Sequence, residues 1–429
     1  MDKKINRRKF ITGAALLAVA SAGSYFLPKS SLFRAAKNSA SALTADLNAL
    51  YTRQIITKNP DTSRLIMWAA NSALKNPAVE YRLNGETKKI AASDESFSDD
   101  GIENTQYSAM LTGLSPATDY EYRLVTDSSA SEWQKMRTAP KDSAGYKVLI
   151  FPDSQSSDYS DWENLAQNAF KRNDDAAFFV NMGDLVDNGE DHTQWQAWFN
   201  ALSGIINTIP LAPVMGNHEC YDQKWEVRLP SAYLNYFHTP DNGSSEFSRY
   251  YYSFDYGDVH YIVLNTQEEE IKSFKQGLTD EQIAWLRQDA NSSSKKWKIV
   301  LMHRDVLRYR IHNRPERTEG IEEIGETFMP LFDELNIDIV FTAHLHTYRN
   351  RGHLYNMRPD SRGPLYILTG VAGNVRYPNL WIDHAYDKAT APQPETDNYI
   401  TLDVRYDKLT VSCYLPDGTA IDTISVTKN

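Results

Sequence analysis

The chain has 429 residues and a formal net charge of -11 at pH 7. Hydrophobic residues make up 41% and charged residues 24%, which is globular composition and excludes a disordered chain. The acidic balance argues against nucleic acid as a general partner, since such binding normally requires a basic surface. The length predicts two domains. Cys220 and Cys413 lie far apart and form no metal or redox motif, so we expect them to be unpaired, with one disulfide as the alternative.

Residues 1–30 are predicted to be an export signal. A basic start with the pair Arg7-Arg8 is followed by an apolar run from Ala14 to Ala20. The pair, with Phe10 behind it, resembles a twin-arginine signal, which implies the twin-arginine export machinery as a partner and a periplasmic or extracellular location. A short membrane anchor is the alternative. The run is shorter than the about 20 residues of a spanning helix, so we expect no stable membrane span in the mature chain.

Residues 50–140 are predicted to form a small all-β sandwich. Short alternating runs such as residues 78–83 indicate strands, and Asn84-Gly85 is typical of a tight hairpin turn. The stretch before Tyr120 resembles the corner of a fibronectin type III domain, in which a tyrosine hydroxyl bonds to upstream backbone. This region has no cluster of metal-binding or nucleophilic residues. We therefore predict a scaffold, with carbohydrate or substrate binding as the alternative.

Residues 146–429 are predicted to form an α/β domain. Its pattern alternates buried strands with amphipathic helices. Thr279 and Gln282 have the spacing of a capping box and predict the start of one of these helices. The strands are predicted at residues 147–151, 177–180, 211–214, 298–302 and 338–341.

Each of these five strands ends in a polar residue of a metal-binding type. A single Asp at such a position is usually a turn former, and a single His is usually a surface or core residue. Five in succession indicate a shared site, because ligands collect at the carboxyl ends of strands in α/β sheets. In chain order these residues are Asp153, Asp184, Asn217, His303 and the pair His344 and His346.

The order of these motifs resembles the calcineurin-like metallophosphoesterase superfamily. The stretches 251–258, 297–300 and 370–374 resemble its purple acid phosphatase branch, in which a β-sandwich also precedes the catalytic domain. The resemblance implies a four-layer α/β fold of two packed mixed β-sheets flanked by helices, preceded by the small sandwich.

The resemblance also implies two metal ions bridged by Asp184. They would be divalent, or one divalent and one trivalent, and Mn, Fe or Zn suits the oxygen and imidazole donors. They would hold the phosphate and provide a metal-bound hydroxide that attacks it. The remaining ligands would be Asp153 and His346 on one ion and Asn217, His303 and His344 on the other.

Three residues that closely follow a predicted metal ligand in the sequence receive further roles. His218 matches the family's catalytic histidine, which stabilises phosphoryl oxygens or protonates the leaving group. Glu219 either orients His218 or a metal ligand, or is an exposed carboxylate. Arg304 is a candidate substrate-binding residue, since it begins a basic stretch, residues 304–317, that is either a phosphate-gripping lid or a solvated loop.

Two positions depart from the family pattern. Purple acid phosphatases carry a tyrosine three residues after the bridging aspartate, and its phenolate on iron gives the colour. Here Asp187 stands in that position, so we expect no purple band. Gln155 replaces a histidine ligand of many members. Its carbonyl oxygen either completes the first metal site, which would favour a hard ion such as Mn(II), or points to solvent.

The sequence therefore predicts an exported binuclear-metal phosphoesterase that hydrolyses phosphomonoesters, with a small phosphorylated molecule as substrate. A phosphodiesterase or pyrophosphatase acting on nucleotide-like substrates is the first alternative, suggested by Gln155 and the basic stretch. A non-catalytic envelope-binding protein is the second. The presence of every core ligand position together with His218 argues against the second alternative.

Overall fold

The computed structural model describes residues 47–142, 145–392, 394 and 396–428. The predicted export signal lies outside the described residues. The first strands of the described chain are β1 (Leu50–Ile55), β2 (Ser63–Ala70), β3 (Ala78–Leu83), β4 (Glu86–Ala91), β5 (Ser93–Asp99), β6 (Ile102–Thr112), β7 (Asp119–Val125) and β8 (Gln134–Arg137).

These strands form the predicted β-sandwich. One sheet has the order β1-β2-β6-β5 and the other the order β4-β3-β7-β8. Aromatic side chains fill the space between them, among them Trp68 and Tyr107, whose rings stack with centroids 5.4 Å apart. The Ser115 N–H donates to the Tyr120 hydroxyl at 2.9 Å, which is the corner contact expected from the sequence.

The second region contains parallel as well as antiparallel strands, together with the helices. The helices are α1 (Ser160–Arg172), α2 (His192–Ala201), α3 (Ser231–Tyr236), α4 (Glu268–Ile271), α5 (Leu278–Ser292) and α6 (Glu323–Glu334). The strands are β9 (Tyr146–Phe151), β10 (Ala176–Asn181), β11 (Leu211–Pro213), β12 (Tyr252–Tyr256), β13 (Val259–Leu264), β14 (Trp297–Met302), β15 (Leu307–Arg308), β16 (Arg310–Ile311), β17 (Gly320–Ile321), β18 (Ile339–Thr342), β19 (Tyr348–Tyr355), β20 (Arg358–Pro359), β21 (Leu365–Thr369), β22 (Trp381–Ile382), β23 (Ala389–Thr390), β24 (Tyr399–Val404), β25 (Lys408–Tyr414) and β26 (Ala420–Thr427).

Two mixed sheets pack face to face in this region. The first has the order β26-β25-β24-β9-β10-β11, with β9, β10 and β11 parallel. The second has the order β12-β13-β14-β18-β21-β19-β20, with β13, β14, β18 and β21 parallel and β23 beside β19. Buried residues of both sheets, such as Phe178 and Tyr261, interlock between them with ring centroids 5.3 Å apart.

Helices cover both outer faces. The helices α1 and α2 pack on the first sheet through Trp162 and Trp198, which stack with ring centroids 6.2 Å apart. The helices α5 and α6 pack on the second sheet through Leu286 and Phe328. The apolar face of each amphipathic helix is thereby buried against a sheet, and the predicted four-layer fold is confirmed.

The sandwich and the α/β region share a continuous sheet. β1 pairs in parallel with β11, with Ile55 opposite Leu211, so the first sheets of both regions merge into one of ten strands. The buried Arg53 strengthens this junction by donating to the Tyr236 carbonyl and to the Gln106 side chain, each at 2.7 Å. This connection between the two predicted domains was not expected from the sequence.

The predicted capping box is wrong, although the helix is present. α5 begins after Gly277, which has a left-handed φ of 89° and provides no side-chain cap. The buried Gln282 instead bonds to the backbone of Asn265, accepting from its N–H at 2.7 Å and donating to its carbonyl at 2.9 Å. The Gln282 side chain, which the local pattern assigned to the cap of the helix, therefore bonds to the backbone of Asn265 instead.

Both cysteines are unpaired and buried, in agreement with the preferred interpretation. Cys220 lies in the core beneath α1 and α2, whereas Cys413 lies between the two sheets. Among the described helices, none has both the length and the apolar character needed to cross a membrane.

Candidate metal centre

The predicted ligands meet at the carboxyl ends of the central strands. Three neighbouring parallel strands of the first sheet lead to three of these residues, and β14 and β18 of the second sheet lead to the other three. Because the sheets pack face to face, these ends converge on one place. The residues that follow the strands are Asp153 after β9, Asp184 after β10, Asn217 after β11, His303 after β14, and His344 and His346 after β18.

The convergent side chains form two groups that share Asp184. The first contains Asp153 and His346, and the second contains His303 and His344; within each group the potential ligand atoms lie within 4.8 Å of one another. Oδ2 of Asp184 lies 3.0 Å from Nε2 of His303. Oδ2 of Asp153 lies 3.3 Å from Nε2 of His346. The structure thus brings together the residues that the sequence singled out.

Asn217 extends the second group. Its Oδ1 lies 3.2 Å from Nε2 of His303. The amide is nearly buried, with 6% of the residue exposed, so few other partners are available to this oxygen. The second group therefore offers two oxygens, from Asp184 and Asn217, and two imidazoles.

Backbone carbonyls orient two of the histidines. Nδ1 of His303 lies 2.9 Å from the Met182 carbonyl oxygen, and Nδ1 of His346 lies 2.5 Å from that of Val375. A carbonyl can only accept, so Nδ1 carries the proton and Nε2 faces the carboxylates. Metal-binding histidines are commonly held in this way.

The site requires glycine at two positions. A Cβ on Gly183, which has a φ of 97°, would lie 2.6 Å from Nδ1 of His303. A Cβ on Gly216 would lie 2.2 Å from Oδ1 of Asp184. Asp184 and His344 themselves have left-handed φ values of 49° and 77°, which non-glycine residues rarely adopt. Such strain is often found at functional sites, where the surrounding structure maintains it.

Glu219 holds the backbone around the shared aspartate. It is buried, and its carboxylate accepts from the N–H groups of Gly216 at 2.7 Å, Asp184 at 3.0 Å and Leu185 at 2.8 Å. Burial and the charge of Asp184 raise the pKa of Glu219 to about 7. The exposed-carboxylate interpretation is therefore wrong, and the residue positions the loops that carry Asp184 and Asn217.

The charges in the cluster favour a cation at its centre. Burial raises the pKa of Asp184, but His303 and His218 outweigh it and the net pKa lies far below the usual range. Burial lowers the pKa of His303, yet Asp184 outweighs this and raises it to about 9. Burial, with Arg304 and His303 next in importance, lowers the pKa of His344 strongly. The Asp184 carboxylate is thus ionised and stabilises positive charge beside it.

Gln155 is buried in the site rather than pointing to solvent, so the solvent interpretation is wrong. Its N–H donates to the Asp184 carbonyl at 2.9 Å. Its Oε1 is buried and has no hydrogen-bond partner in the described part of the chain. Nδ1 of His344 is likewise buried without a partner among the described residues. Unpartnered buried polar atoms are costly, and a cation bound in each ligand group would provide partners for these two residues.

His218 lies at the outer edge of the cluster, with 13% of its side chain exposed. Its Nδ1–H donates to the Asp187 carbonyl at 2.7 Å, and its Nε2 lies 3.9 Å from Oδ2 of Asp184. The Asp187 carboxylate, in the position of the family's tyrosine, lies 3.5 Å from Nδ1 of His218. The ring also contacts the aromatic residues Tyr221 and Trp225. This aromatic pair was not predicted from the sequence, although it follows closely on the motif at residues 216–219.

Arg304 lies beside the cluster and is held by neighbours. It donates to the Glu270 carboxylate and to Oε1 of Gln267, the latter at 3.3 Å. The rest of the basic stretch is folded into two short ladders, β15 with β17 and β16 with β22. Within it, Arg308 donates to the Thr318 carbonyl and Arg317 to Glu322. The guanidinium groups of Arg308 and Arg317, which the lid interpretation assigned to phosphate binding, therefore bond to nearby protein groups. Arg304 remains a candidate for substrate contact.

Comparison with known proteins agrees with this architecture. Residues 146–348 match the calcineurin-like phosphoesterase family, and residues 52–138 match the purple acid phosphatase N-terminal domain. The chain therefore carries a calcineurin-like phosphoesterase domain preceded by a purple acid phosphatase N-terminal domain. This combination of domains, and the purple acid phosphatases among its relatives, support a place in the purple acid phosphatase-like branch.

Relatives include two plant proteins from Arabidopsis thaliana. Purple acid phosphatase 15 is 31% identical over 207 residues, which is 47% of this chain and 36% of the plant protein. Purple acid phosphatase 23 is 25% identical over 300 residues, 62% of each protein. The chain thus spans between about a third and two thirds of the length of these relatives.

Solved structures share the fold at low sequence identity. A purple acid phosphatase from yellow lupin (Lupinus luteus) seeds superposes with a TM-score of 0.75 at 17% identity, covering 89% of this chain and 74% of the lupin chain. PhoD superposes with a TM-score of 0.64 at 12% identity, covering 89% and 93%.

Proposed function

We propose that this chain is a binuclear-metal phosphatase that hydrolyses phosphomonoesters. The observation that carries the proposal is the pair of ligand groups that share Asp184. A bridging carboxylate is what two closely spaced cations require, since it reduces their mutual repulsion. The family membership and the phosphatase names of the relatives support the same activity.

The donor atoms fit two transition-metal ions. One ion would be held by Asp153, Asp184, His346 and Gln155, and the other by Asp184 together with Asn217, His303 and His344. Carboxylate, amide and imidazole donors suit Mn, Fe or Zn, and the oxygen-rich first group favours Mn(II). When bound, the ions would neutralise phosphoryl oxygens and make a water molecule acidic enough to act as nucleophile near neutral pH.

The protein groups around the ions would orient the ester. His218, whose Nδ1 proton is fixed on the Asp187 carbonyl, presents Nε2 toward the cluster. In the protonated form it can donate to a phosphoryl oxygen or to the departing alkoxide. Arg304, whose charge acts on His344 of the second group, can add a hydrogen bond to the phosphate. Export by the twin-arginine route and action on a small phosphorylated molecule outside the cytoplasm complete the proposal.

The test is hydrolysis of para-nitrophenyl phosphate and its bis-ester after chelation and restoration of Mn, Fe or Zn singly. We expect metal-dependent turnover with the monoester preferred. His218→Ala should lower turnover by roughly a hundredfold or more, as expected for loss of a general acid. His260→Gln, which alters a histidine outside the cluster, is the matched control and should retain activity.

The outcomes separate the alternatives. Preference for the bis-ester would replace the phosphatase by a phosphodiesterase. Turnover that survives complete metal removal would contradict the binuclear proposal. Tight metal binding without turnover of either ester would favour the non-catalytic alternative.

A further inference from the structure

A short hairpin follows the catalytic-histidine candidate and forms one rim of the site. This rim hairpin comprises residues 220–228. Tyr221 and Val227 pair in an antiparallel bridge, and the Arg228 N–H donates to the Cys220 carbonyl at 2.8 Å. Because the hairpin begins two residues after His218, its side chains are placed directly beside that histidine.

Two aromatic side chains of the rim hairpin face His218. The Tyr221 ring centroid lies 5.6 Å from that of His218, and the Trp225 centroid lies 5.5 Å away, both in edge-to-face geometry. The two aromatic rings lie 6.1 Å apart. Trp225 nevertheless keeps 41% of its surface exposed. Contact with His218 alone does not account for a tryptophan with so much of its surface exposed.

The rim hairpin is held in one conformation by its own hydrogen bonds. Oδ1 of Asp222 accepts from the N–H groups of Lys224 and Glu226, each at 2.8 Å. The Trp225 N–H donates to the Asp222 carbonyl at 3.0 Å. These bonds maintain Trp225 at a left-handed φ of 64°, which costs energy for a bulky residue. The backbone that carries the indole is therefore held in one conformation, and the ring itself contacts His218 and Tyr221.

The β-sandwich supports the rim hairpin from outside. Nε2 of Gln223 donates to Oδ1 of Asp100 at 2.6 Å, and Nη2 of Arg228 donates to Oδ1 of Asp99 at 2.9 Å. Oδ2 of Asp100 also accepts from the N–H of His192 at the start of α2. The turn between β5 and β6 thus links the sandwich to the rim of the metal centre.

From these contacts we infer that Trp225 and Tyr221 form a subsite for a planar aromatic ring in the leaving group of the substrate. The inference rests on the proposed phosphatase function. Asp184 lies on the inner, buried side of His218. A leaving group that His218 protonates must therefore extend away from Asp184 and pass the rim hairpin. The substrate class is a phosphomonoester that carries an aromatic ring, either an aryl phosphate or a nucleoside monophosphate. Stacking on an indole is available to both.

The test compares three esters in the metal-restored protein: phenyl phosphate, adenosine 5′-monophosphate and glycerol 2-phosphate. In Trp225→Ala we expect KM to rise about tenfold for at least one of the ring-bearing esters, which is the loss typical of a removed stacking partner. We expect kcat to be unchanged and KM for glycerol 2-phosphate to stay within about twofold, since that ester has no ring to stack. Trp225→Phe should restore most of the affinity.

Tyr406→Ala is the matched control. Tyr406 is an aromatic residue that is 55% exposed, and its carbonyl accepts a hydrogen bond from the indole N–H of Trp297. Trp297 begins β14, whereas His303 follows the other end of that strand. Its removal should leave all three KM values unchanged. The ester whose KM responds to Trp225→Ala identifies the source of the ring.

A binding measurement separates failure of the subsite from failure of the phosphatase proposal. Phenylphosphonate and methylphosphonate cannot be hydrolysed, and titration calorimetry with each is independent of turnover. Tighter binding of phenylphosphonate, lost in Trp225→Ala, supports the subsite even if no ester is hydrolysed. Equal affinities, absence of binding, or an equal rise in KM for glycerol 2-phosphate would overturn it.

Discussion

Histidines lie beside aspartates in two regions of this molecule, but their ring nitrogens have different partners. In the metal centre, His303 and His346 each give Nδ1 to a backbone carbonyl and turn Nε2 toward a carboxylate. Away from it, His260 lies between two carboxylates, with Nδ1 2.7 Å from Oδ1 of Asp255 and Nε2 2.9 Å from Oδ2 of Asp289.

The difference lies in the partners of the two ring nitrogens and in how many ligand atoms surround them. In His260 both nitrogens are used by carboxylates, so the ring is held as a cation and joins β12, β13 and α5. In the metal centre several Nε2 atoms and carboxylate oxygens converge within one small volume. A cation can replace the proton on an Nε2 that lies among such oxygens, whereas each nitrogen of His260 has a separate carboxylate and no further ligands converge on it. Proximity of His and Asp alone therefore does not define a metal site.

Removal of the shared ligand gives the largest expected effect. Asp184→Ala takes an oxygen from both groups, and we expect both ions to be lost and hydrolysis to fall roughly a thousandfold or more, since each tenfold corresponds to about 1.4 kcal/mol of transition-state stabilisation. Elemental analysis after dialysis measures the ions, and circular dichroism checks the fold. A variant that retains two ions and full activity would contradict the shared-ligand arrangement.

A smaller effect distinguishes the two halves of the centre. Gln155→Ala removes the unpartnered buried oxygen of the first group, and we expect affinity for one ion of the pair to fall about ten- to a hundredfold. The other ion should be retained. Asn217→Ala is the matched removal of an amide from the second group and should weaken the other ion. Titration with Mn²⁺ followed by Zn²⁺ would show which ion each variant loses.

An unchanged Mn²⁺ affinity in Gln155→Ala would show that this oxygen is not a ligand. Gln155→His offers a complementary measurement. An imidazole in place of the amide should shift the preference of that site from Mn toward Zn.

The smallest effect on activity is expected at His260, where stability responds instead. Burial lowers the pKa of His260, but Asp255 and Asp289 outweigh it and raise the pKa to about 9. The stabilisation is thus complete below the unfolded pKa of about 6.5 and is lost as pH rises through about 9. Allowing for the exposed Asp255, its loss should lower the free energy of unfolding by roughly 2 kcal/mol.

Urea unfolding at pH 6 and pH 9 measures this change. His260→Gln should be less stable than the wild type at pH 6 and should lack this contribution to the pH dependence. His312→Gln, at an exposed position in the basic stretch, should keep the wild-type dependence. The same pH dependence in the wild type and in His260→Gln would contradict the doubly paired cation.

The sequence predicted the convergence of the site because its signals are local. The buried strands contain apolar runs, such as residues 148–151 and 299–302, which are followed within two residues by Asp153 and His303. Once the strands are assigned to a parallel sheet, the topology places these residues together. The hairpin at Asn84-Gly85 was predictable for the same reason, since its φ values of 49° and 86° suit those two residues.

Features that depend on distant partners could not be predicted in this way. The local pattern around Gln282 favoured a helix cap, but Asn265 occupies that side chain. The burial of Glu219 depends on three backbone donors from two loops. The pairing of Gln223 with Asp100 joins turns from different regions of the chain. In each case the deciding group lies far away in sequence.

The shared ten-stranded sheet has a consequence for how the chain folds. β1 precedes nearly all of the sandwich, but its parallel partner β11 is synthesised only after β9 and β10. The sandwich therefore has an unfilled edge until the later region has formed, and pairing of such distant segments is slow. Folding of the first region is completed by the second, so the two regions are expected to be interdependent parts of one cooperative unit rather than modules that fold separately.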